Sequence, residues 1–196
     1  MRMDKITVKA QQALAKAQEI ATNSKHCSIS PLHVLAGLMH EEDGGIIAAI
    51  LQKAGYNVVQ INSMVESELK RLPQVTGQQQ VVGDSALNQM MMEANKQADA
   101  LKDQYLSTEH LLLGLLTVEG TAKEILTVNA VKHEDVLSAI QEIRGGRQVT
   151  DQNPEDKYQA LERFGIDLIE LARSGKLDPV IGRDEAANAL AETESE

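Results

Sequence analysis

The stretch Ser30-Pro-Leu-His-Val-Leu-Ala-Gly-Leu-Met39 decides the fold, because its pattern returns later in the chain as Ser107-Thr-Glu-His-Leu-Leu-Leu-Gly-Leu-Leu116. Serine, histidine, leucine, glycine and leucine occupy matching positions in the two stretches. A fixed offset that relates several separate positions indicates an internal duplication. The same offset pairs Gln12 with Gln89, Ala17 with Ala94, Ala21 with Ala98 and Lys25 with Lys102.

The composition indicates which kind of fold this duplicated module adopts. Hydrophobic residues make up 42% of the 196 residues, but aromatic residues only 2%. The core must therefore be aliphatic, and Ala, Leu, Ile, Val and Met favour closely packed helices over a β-sandwich. We predict an all-α fold.

Capping residues and helix breakers predict where the helices of each copy begin and end. Thr7 is a good N-cap residue for a helix that ends near Asn23. Ser30-Pro31 supplies an N-cap followed by proline at the first helical position, for a helix that ends near His40. The remaining predicted starts are Gly44-Gly45 and Asn57 in the first copy, and Asp84, Ser107, Gly120 and Lys132 in the second.

Each copy is thus predicted to have four helices with an incomplete apolar face. Two such copies would bury these faces against one another as a pseudo-twofold, eight-helix domain with a shallow apolar groove between the copies. Gly37 and Gly114 lie inside the second helix of each copy. A helix interior disfavours glycine by about 1 kcal/mol relative to alanine, so we expect another helix to cross closely at both positions.

The predicted domain organisation follows from these boundaries. The two repeats are separated and followed by stretches rich in Gly, Gln, Asp and Asn, which read as linkers. A further apolar helix and an extended stretch come after the second linker, outside the repeat. We predict residues 1–73 as the first repeat, 74–83 as an inter-repeat linker, 84–146 as the second repeat, 147–155 as a second linker and 156–196 as a separate segment.

Charge and cysteine content exclude several classes of function. The 29 acidic and 19 basic residues give a formal net charge of -10, which opposes binding to nucleic acid or to anionic membrane lipid. Cys27 is the only cysteine, so an intrachain disulfide is impossible. The N-terminus has no signal-peptide pattern, and no apolar run approaches the roughly 20 residues of a membrane span. We predict a cytoplasmic protein.

The histidines could indicate a metal or catalytic site, but their context favours structure. His33 and His110 recur at matching positions in short apolar helices, without an acid or cysteine at ligand spacing. We expect each to make a structural hydrogen bond to a neighbouring helix end. A zinc site built from His26, Cys27 and His40 has no convincing fourth ligand.

Two further features have a structural and a functional interpretation. Ser30 and Ser107 precede helices as caps and lack the G-x-S-x-G sequence of a serine hydrolase. The run Met90-Met91-Met92 spans three directions on a helix, so at least one methionine should lie near the surface or the groove. Methionine suits both a core gap and an adaptable peptide-binding surface.

Three stretches give the chain a family resemblance. They are the opening Met1-Arg-Met-Asp-Lys-Ile-Thr-Val-Lys-Ala10, the sequence Arg71-Leu-Pro-Gln-Val-Thr-Gly77, and the passage from Tyr158 to Glu185 that contains Lys-Leu-Asp-Pro-Val-Ile-Gly-Arg-Asp. With the repeat, they resemble the Clp N-terminal repeat of the Clp/Hsp100 AAA+ unfoldases, and within that family the protein disaggregases. The resemblance covers residues 1–185 and implies an N-terminal repeat domain followed by the start of an ATPase module.

The resemblance implies a noncatalytic domain that engages unfolded or aggregated polypeptide clients. The sequence contains no G-x-x-x-x-G-K-[ST] phosphate-binding loop, so ATP and Mg²⁺ would belong to a full-length parent. Similar parents are hexamers that can work with a co-chaperone, whereas the isolated chain is expected to be a monomer. The alternative role is an adaptor-docking module, since similar domains of other Clp proteins bind dedicated adaptors.

In related proteins the positions that match Thr7, Asp103 and Glu109 are implicated in client engagement, and all three residue types are present here. Asp103 and Glu109 correspond to His26 and Leu32 of the first copy, so they distinguish the copies. Each also has a structural interpretation. Thr7 can serve as an N-cap, Glu109 can interact with a helix dipole, and Asp103 can be a solvated loop acid.

Overall fold

The computed structural model describes residues 5–40, 45–75 and 81–155, and within them the chain is helical, as predicted. The first copy contains α1 (Val8–Asn23), α2 (Pro31–Met39), α3 (Gly45–Lys53) and α4 (Val58–Arg71). The second contains α5 (Ser85–Ala100), α6 (Thr108–Thr117), α7 (Thr121–Val128) and α8 (His133–Arg144). Two short strands, β1 (Ser28–Ile29) and β2 (Val82–Gly83), pair in parallel. Among these residues no helix is long and apolar enough to cross a membrane.

Side-chain caps begin three of the helices where the sequence predicted them. Thr7, Asn57 and Asp84 are the N-cap residues of α1, α4 and α5. Each side-chain oxygen accepts a hydrogen bond from the backbone N–H three residues later, at 3.3, 3.1 and 2.7 Å respectively. Because Thr7 and Asp84 are related by the repeat offset, both copies fix their first helix at the same point.

The close helix crossings predicted at Gly37 and Gly114 are confirmed. A Cβ atom on Gly37 would lie 2.3 Å from the carbonyl oxygen of Ala13 in α1. A Cβ atom on Gly114 would lie 2.8 Å from the carbonyl oxygen of Met90 in α5. Since real Cβ atoms do not approach so closely, only glycine lets α2 cross α1, and α6 cross α5, at backbone contact.

The second helix of each copy lies at the centre of the domain. Residues 31–38 of α2 and 108–115 of α6 are buried, and the two helices contact each other. Contacts between α3 and α8 and between α4 and α7 also join the copies. One hydrophobic cluster contains side chains from both copies, so the predicted burial of the two apolar faces against each other is confirmed.

Two backbone hydrogen bonds also join the start of each copy to the other copy, and the periodicity of the sequence did not predict them. The backbone N–H of Thr7 donates to the carbonyl oxygen of Leu106 at 2.9 Å, and that of Asp84 donates to Ile29 at 3.0 Å. The two bonds are equivalent, because Thr7 matches Asp84 and Ile29 matches Leu106 in the alignment of the two copies. The pairing therefore obeys the pseudo-twofold relation and ties the start of each copy to the other copy.

The two predicted linkers are attached to the domain wherever the structure describes them. Val75 donates a backbone hydrogen bond to Lys25 at 2.8 Å, and β2 pairs with β1. In residues 147–155, Val149 and Glu155 are buried. The linker composition did not anticipate this packing. The helix and extended stretch predicted in 156–196 lie outside the described residues.

Candidate functional site

The predicted site residues Thr7, Asp103 and Glu109 meet in a buried polar cluster. This cluster lies where the start of α1, the start of α6, the end of α8 and residues 147–155 come together. Helix geometry explains part of this arrangement, since the N-cap positions of α1 and α6 hold Thr7 and Ser107. We define the polar cluster as Thr7, Asp103, Ser107, Thr108, Glu109, His110, Arg144 and Glu155.

Arg144 binds the two acidic residues that distinguish the second copy from the first. Its Nη1 donates to Oδ2 of Asp103 at 2.6 Å, and its Nε donates to Oε1 of Glu109 at 3.1 Å. The Arg144 side chain is 5% exposed, and the two carboxylates are 0% and 1% exposed. A buried charge is tolerated when it is paired and hydrogen-bonded, so the guanidinium makes the two buried acids possible.

The pKa shifts of Arg144, Asp103 and Glu109 indicate that all three side chains are charged. Burial raises the pKa of Glu109, but the charge of Arg144, together with His110 and the hydrogen bonds from Arg144 and Ser107, holds the pKa below its usual value. Burial acts in the same direction on the pKa of Asp103, and hydrogen bonds from His110, the Val149 backbone and Arg144 lower it. The two carboxylates in turn raise the pKa of Arg144 despite its burial. All three groups are therefore charged at neutral pH.

His110 closes a capping box at the start of α6. Its Nδ1 accepts a hydrogen bond from the backbone N–H of Ser107 at 2.9 Å, so the ring proton lies on Nε2. That Nε2 donates to Oδ2 of Asp103, also at 2.9 Å. His33 does the same in the first copy, where its Nδ1 accepts from the Ser30 N–H at 3.0 Å. The predicted structural role of both histidines is confirmed, although the helix end that each one caps is its own.

Ser107, His110 and Asp103 have the composition of a hydrolase triad but not its geometry. The single lone pair of His110 Nδ1 already accepts the Ser107 N–H, so it is not free to take the hydroxyl proton. The Ser107 hydroxyl donates instead to Glu109 and is fully buried. A triad serine must be exposed to its substrate, and this arrangement instead fixes the start of a helix.

The first copy replaces the charged arrangement with a neutral one. His26 occupies the position of Asp103, and its Nδ1 accepts from Nε2 of His33 at 2.8 Å. Burial lowers the pKa of both rings, and burial with the neighbouring His26 lowers that of His33 to about 4. Leu32 stands in place of Glu109. In the part of the chain that the structure describes, no group of three or more His, Cys, Asp or Glu side chains could hold a metal ion.

Glu155 is the one acid of the polar cluster that was not predicted from the sequence. Its Oε1 accepts hydrogen bonds from Oγ1 of Thr7 at 2.6 Å and from the backbone N–H of Thr108 at 3.3 Å. Burial and the negative charge of Glu109 raise the pKa of Glu155 to about 7. Glu155 is therefore partly protonated at neutral pH, unlike Asp103 and Glu109.

Arg144 was missed for a different reason. It lies in the last turn of α8, next to Gly145, where a cation already has an ordinary explanation in the helix dipole. The available signal was the broken repeat, because Arg144 matches Ser67 of the first copy just as Asp103 and Glu109 match uncharged residues. Two acids and one base that appear together in one copy indicate an ion-pair cluster.

The predicted site residues are turned inward. Thr7 is 0% exposed and Glu109 is 1% exposed, and the Asp103 side chain bonds Arg144, His110 and Val149. Direct client contact by these three residues stays a prediction.

A small apolar cavity offers a more accessible surface. It has a volume of about 210 Å³ and lies among α1, α2 and α3, with one wall residue from the second copy. The groove was predicted between the copies, but this cavity belongs mainly to the first copy. The exposure of Met92 at 63% confirms that one of the three consecutive methionines lies at the surface, although none of them lines this cavity. The lining residues are Gln12, Ala13, Lys16, Gly37, Leu38, His40, Ile47 and Thr108.

The fold and the polar cluster define a class of protein: an all-α domain made of two four-helix repeats that share one core. Known sequences identify the family. The chain belongs to the family described as the Clp repeat (R) N-terminal domain, which matches residues 5–129 and 85–174. The resemblance drawn from the sequence is confirmed.

Curated relatives of the chain bear the description "Chaperone protein ClpB", among them proteins of Rhodopirellula baltica and Bacillus cereus. The chain is 45% identical to the protein of Rhodopirellula baltica over 183 residues, which are 93% of this chain and 21% of the relative. It is 37% identical to the protein of Bacillus cereus strain ATCC 14579 over 188 residues, 94% of this chain and 22% of the relative. The chain therefore spans about a fifth of the length of these relatives.

Solved structures share the fold at lower identity. The N-terminal domain of Hsp104 from Candida albicans has a TM-score of 0.69 at 21% identity, covering 77% of this chain and 99% of that one. A ClpV N-domain solved in complex with a VipB peptide has a TM-score of 0.54 at 17% identity, covering 69% of this chain and 88% of that one.

Proposed function

We propose that the chain is the noncatalytic N-terminal domain of an ATP-dependent, ClpB-like chaperone and that it engages unfolded or aggregated polypeptides. The duplicated Clp repeat, with 45% identity to a ClpB chaperone over 93% of the chain, carries this proposal. In the parent protein, a hexameric ATPase module would bind ATP and Mg²⁺ and work with a co-chaperone. The isolated domain would be a cytoplasmic monomer that binds neither nucleic acid nor membrane.

The apolar cavity supports client binding. Ala13, Leu38 and Ile47 give it an apolar wall, while Gln12 and Lys16 lie on α1 at its edge. A volume of about 210 Å³ fits one or two apolar side chains and not a folded surface. Apolar contacts of this kind do not select a sequence, so a shallow site holds many extended segments weakly.

Thr7, Asp103 and Glu109 would act on this surface through Thr108. Thr108 lines the cavity and also donates its backbone N–H to Glu155 in the polar cluster. The three residues would therefore set the position of the α6 start beneath the bound client. This role makes them supports of the binding surface, whether or not they touch the client.

A matched pair of substitutions tests the client site. Gln12 and Gln89 are exposed and occupy the same position in the two copies, but only Gln12 borders the cavity. Gln12→Trp should cover the cavity and weaken binding of denatured casein by at least about fivefold, or roughly 1 kcal/mol, as measured by NMR titration. Gln89→Trp should leave the affinity unchanged. Equal effects of the two substitutions would exclude this cavity as the client site.

The second candidate function is adaptor docking. The ClpV N-domain structure that contains one defined VipB peptide favours it. The two functions differ in selectivity, because a client site binds unrelated denatured proteins in competition with each other. If neither denatured casein nor a second unrelated denatured protein shifts the domain's resonances at millimolar concentration, adaptor docking is the better account.

A further inference from the structure

Residues 147–155, which we call the exit segment, are bound to both copies by hydrogen bonds of their backbone. Gln104 donates its N–H to the carbonyl oxygen of Val149 at 2.9 Å, and Val149 donates its N–H to Oδ1 of Asp103 at 2.7 Å. Further along, Val8 donates its N–H to the carbonyl oxygen of Gln152 at 2.9 Å. Val149 is fully buried. The exit segment is therefore held by three hydrogen bonds, two at Val149 and one at Gln152.

The last described residue of the exit segment, Glu155, lies between the starts of two helices. Thr7 is the N-cap of α1 and Thr108 is the first residue of α6, and both donate to Oε1 of Glu155. The first copy lacks such a site, because Pro31 matches Thr108 and has no N–H to donate. The site formed by Thr7 and Thr108 therefore has no counterpart at the matching positions, Asp84 and Pro31.

The surroundings of Glu155 distinguish an anchor from an ordinary buried acid. Glu155 has no cationic partner among its hydrogen bonds in the described residues, and its Oε2 has no hydrogen-bond partner there. Burial and, after it, the negative charge of the nearby Glu109 oppose ionisation and raise the pKa of Glu155 to about 7. Arg144 does not relieve this repulsion fully, because its hydrogen bonds go to Asp103 and Glu109. The hydroxyl of Thr7 and the N-termini of α1 and α6 stabilise a side chain that has an acceptor oxygen at this place. A neutral side chain with such an oxygen fits the site at least as well as a charged one.

We propose that Glu155 anchors the exit segment to the repeat domain, and that Thr7 and Asp103 are positioning residues for this segment. The polar cluster then fixes residues 147–155 on the repeat domain. A substitution at Thr7 or Asp103 would loosen this segment, separately from any effect on client contact. This inference goes beyond client binding and does not depend on it.

Amide hydrogen exchange in the whole chain tests the anchor. Glu155→Ala removes the acceptor, and the amides of Gln104 and Val149 should then exchange about tenfold faster or more, as expected when hydrogen bonds to a buried carboxyl group are lost. Amides inside α6, such as that of Leu113, should keep their protection. Glu119→Gln is the control, because Glu119 is 87% exposed and lies outside the cluster.

Glu155→Gln separates the acceptor role from charge. Glutamine keeps the acceptor oxygen and removes the ionisation, so at pH 8 this variant should protect Gln104 and Val149 at least as well as the wild type. The same protection in Glu155→Ala as in the wild type would overturn the proposal. Faster exchange at Leu113 to the same degree as at Val149 would also overturn it, because Glu155 would then stabilise the whole domain.

Thr7 supplies a second test, with rescue by the conservative variant. Thr7→Ala should speed exchange at Val149 as Glu155→Ala does, and combining the two should add little, since both break one contact. Thr7→Ser keeps the hydroxyl and should restore protection. Fully additive effects of Thr7→Ala and Glu155→Ala would show that the two residues do not act through each other. Casein titration of the same samples reports client binding separately, so failure of the anchor and failure of the proposed function are distinguishable.

Discussion

Arg144 carries the electrostatic balance of the polar cluster. Its guanidinium bonds two carboxylates that are both buried, those of Asp103 and Glu109. Glu109 depends on it most, because the Arg144 charge is the largest influence that lowers its pKa, and isolated buried charges are strongly disfavoured. Asp103 is also held ionised by hydrogen bonds from His110 and the Val149 backbone. The residues that distinguish the second copy thus form one unit, in which each charge depends on the others.

Removal of the Arg144 charge should therefore destabilise the domain strongly. Arg144→Met leaves two uncompensated buried carboxylates and should lower the free energy of unfolding by about 3–5 kcal/mol, measured by urea denaturation at pH 7. Lys53→Met is the control. Its ion pair with Glu142 is exposed, so a change within about 1 kcal/mol is expected. A loss below about 1 kcal/mol for Arg144→Met would contradict the assigned network.

In the first copy, His33 should make the free energy of unfolding depend on pH. Its pKa falls from 6.5 to about 4 in the folded protein, because burial and the neighbouring His26 disfavour the charged ring. Between these values the unfolded state binds more protons. The His33 contribution is therefore fully present above pH 6.5 and is lost as the pH falls towards 4, by about 3 kcal/mol at most.

The His33 prediction is checked by comparing wild type with His33→Gln in urea at pH 7.5 and pH 4.5. The stability difference between the two proteins should shrink at the lower pH. Subtraction removes the contributions of the carboxyl groups, which titrate in both proteins. A difference that does not depend on pH would show that His33 is not the neutral, buried ring described above.

At the scale of helices, the two glycine crossings decide how closely the elements approach. Gly37→Ala would place a methyl group against the Ala13 carbonyl oxygen, and Gly114→Ala against that of Met90. Overpacking typically costs about 1–3 kcal/mol and exceeds the roughly 1 kcal/mol gain in helix propensity. Both variants should have a lower melting temperature, and Gly37→Ala should lose more, because its contact is 2.3 Å and not 2.8 Å. Stabilisation by both would contradict the crossing geometry.

The sequence predicted the helices better than the connections between them. Caps such as Thr7 and Asp84 act within three residues, so their function is local and visible in the sequence. The pairing of β1 with β2 and the bond from Thr7 to Glu155 join distant residues, and no periodicity encodes them. Glu155 was assigned to a linker because composition reports flexibility and not tertiary contacts. The burial of Asp103 was not predicted either, because its partner Arg144 is 41 positions away in the sequence.

At the scale of the whole molecule, the two repeats form one folding unit. The hydrophobic cluster includes side chains of both copies, and Tyr56 of the first copy donates its hydroxyl to Asp135 of the second at 2.7 Å. A single repeat would expose α2 or α6, which are buried along most of their length. Neither repeat should therefore fold alone.

Fragments test this interdependence. Residues 84–155 expressed alone should show no cooperative transition by circular dichroism and poorly dispersed amide resonances, because α6 loses its contacts with α2. The intact chain provides the reference transition. A fragment that unfolds cooperatively, with a denaturant slope in proportion to its size, would show that the copies are independent domains joined by a linker.

We propose above that this Clp repeat domain engages unfolded polypeptide through its own apolar cavity. The most direct measurement is an NMR titration of the isotope-labelled chain with denatured casein in the absence of nucleotide. We expect weak, saturable chemical-shift changes centred on Gln12, Leu38 and Ile47. Gln12→Trp should reduce these changes, and Gln89→Trp should leave them unaffected. Unchanged resonances at millimolar casein would contradict this proposal.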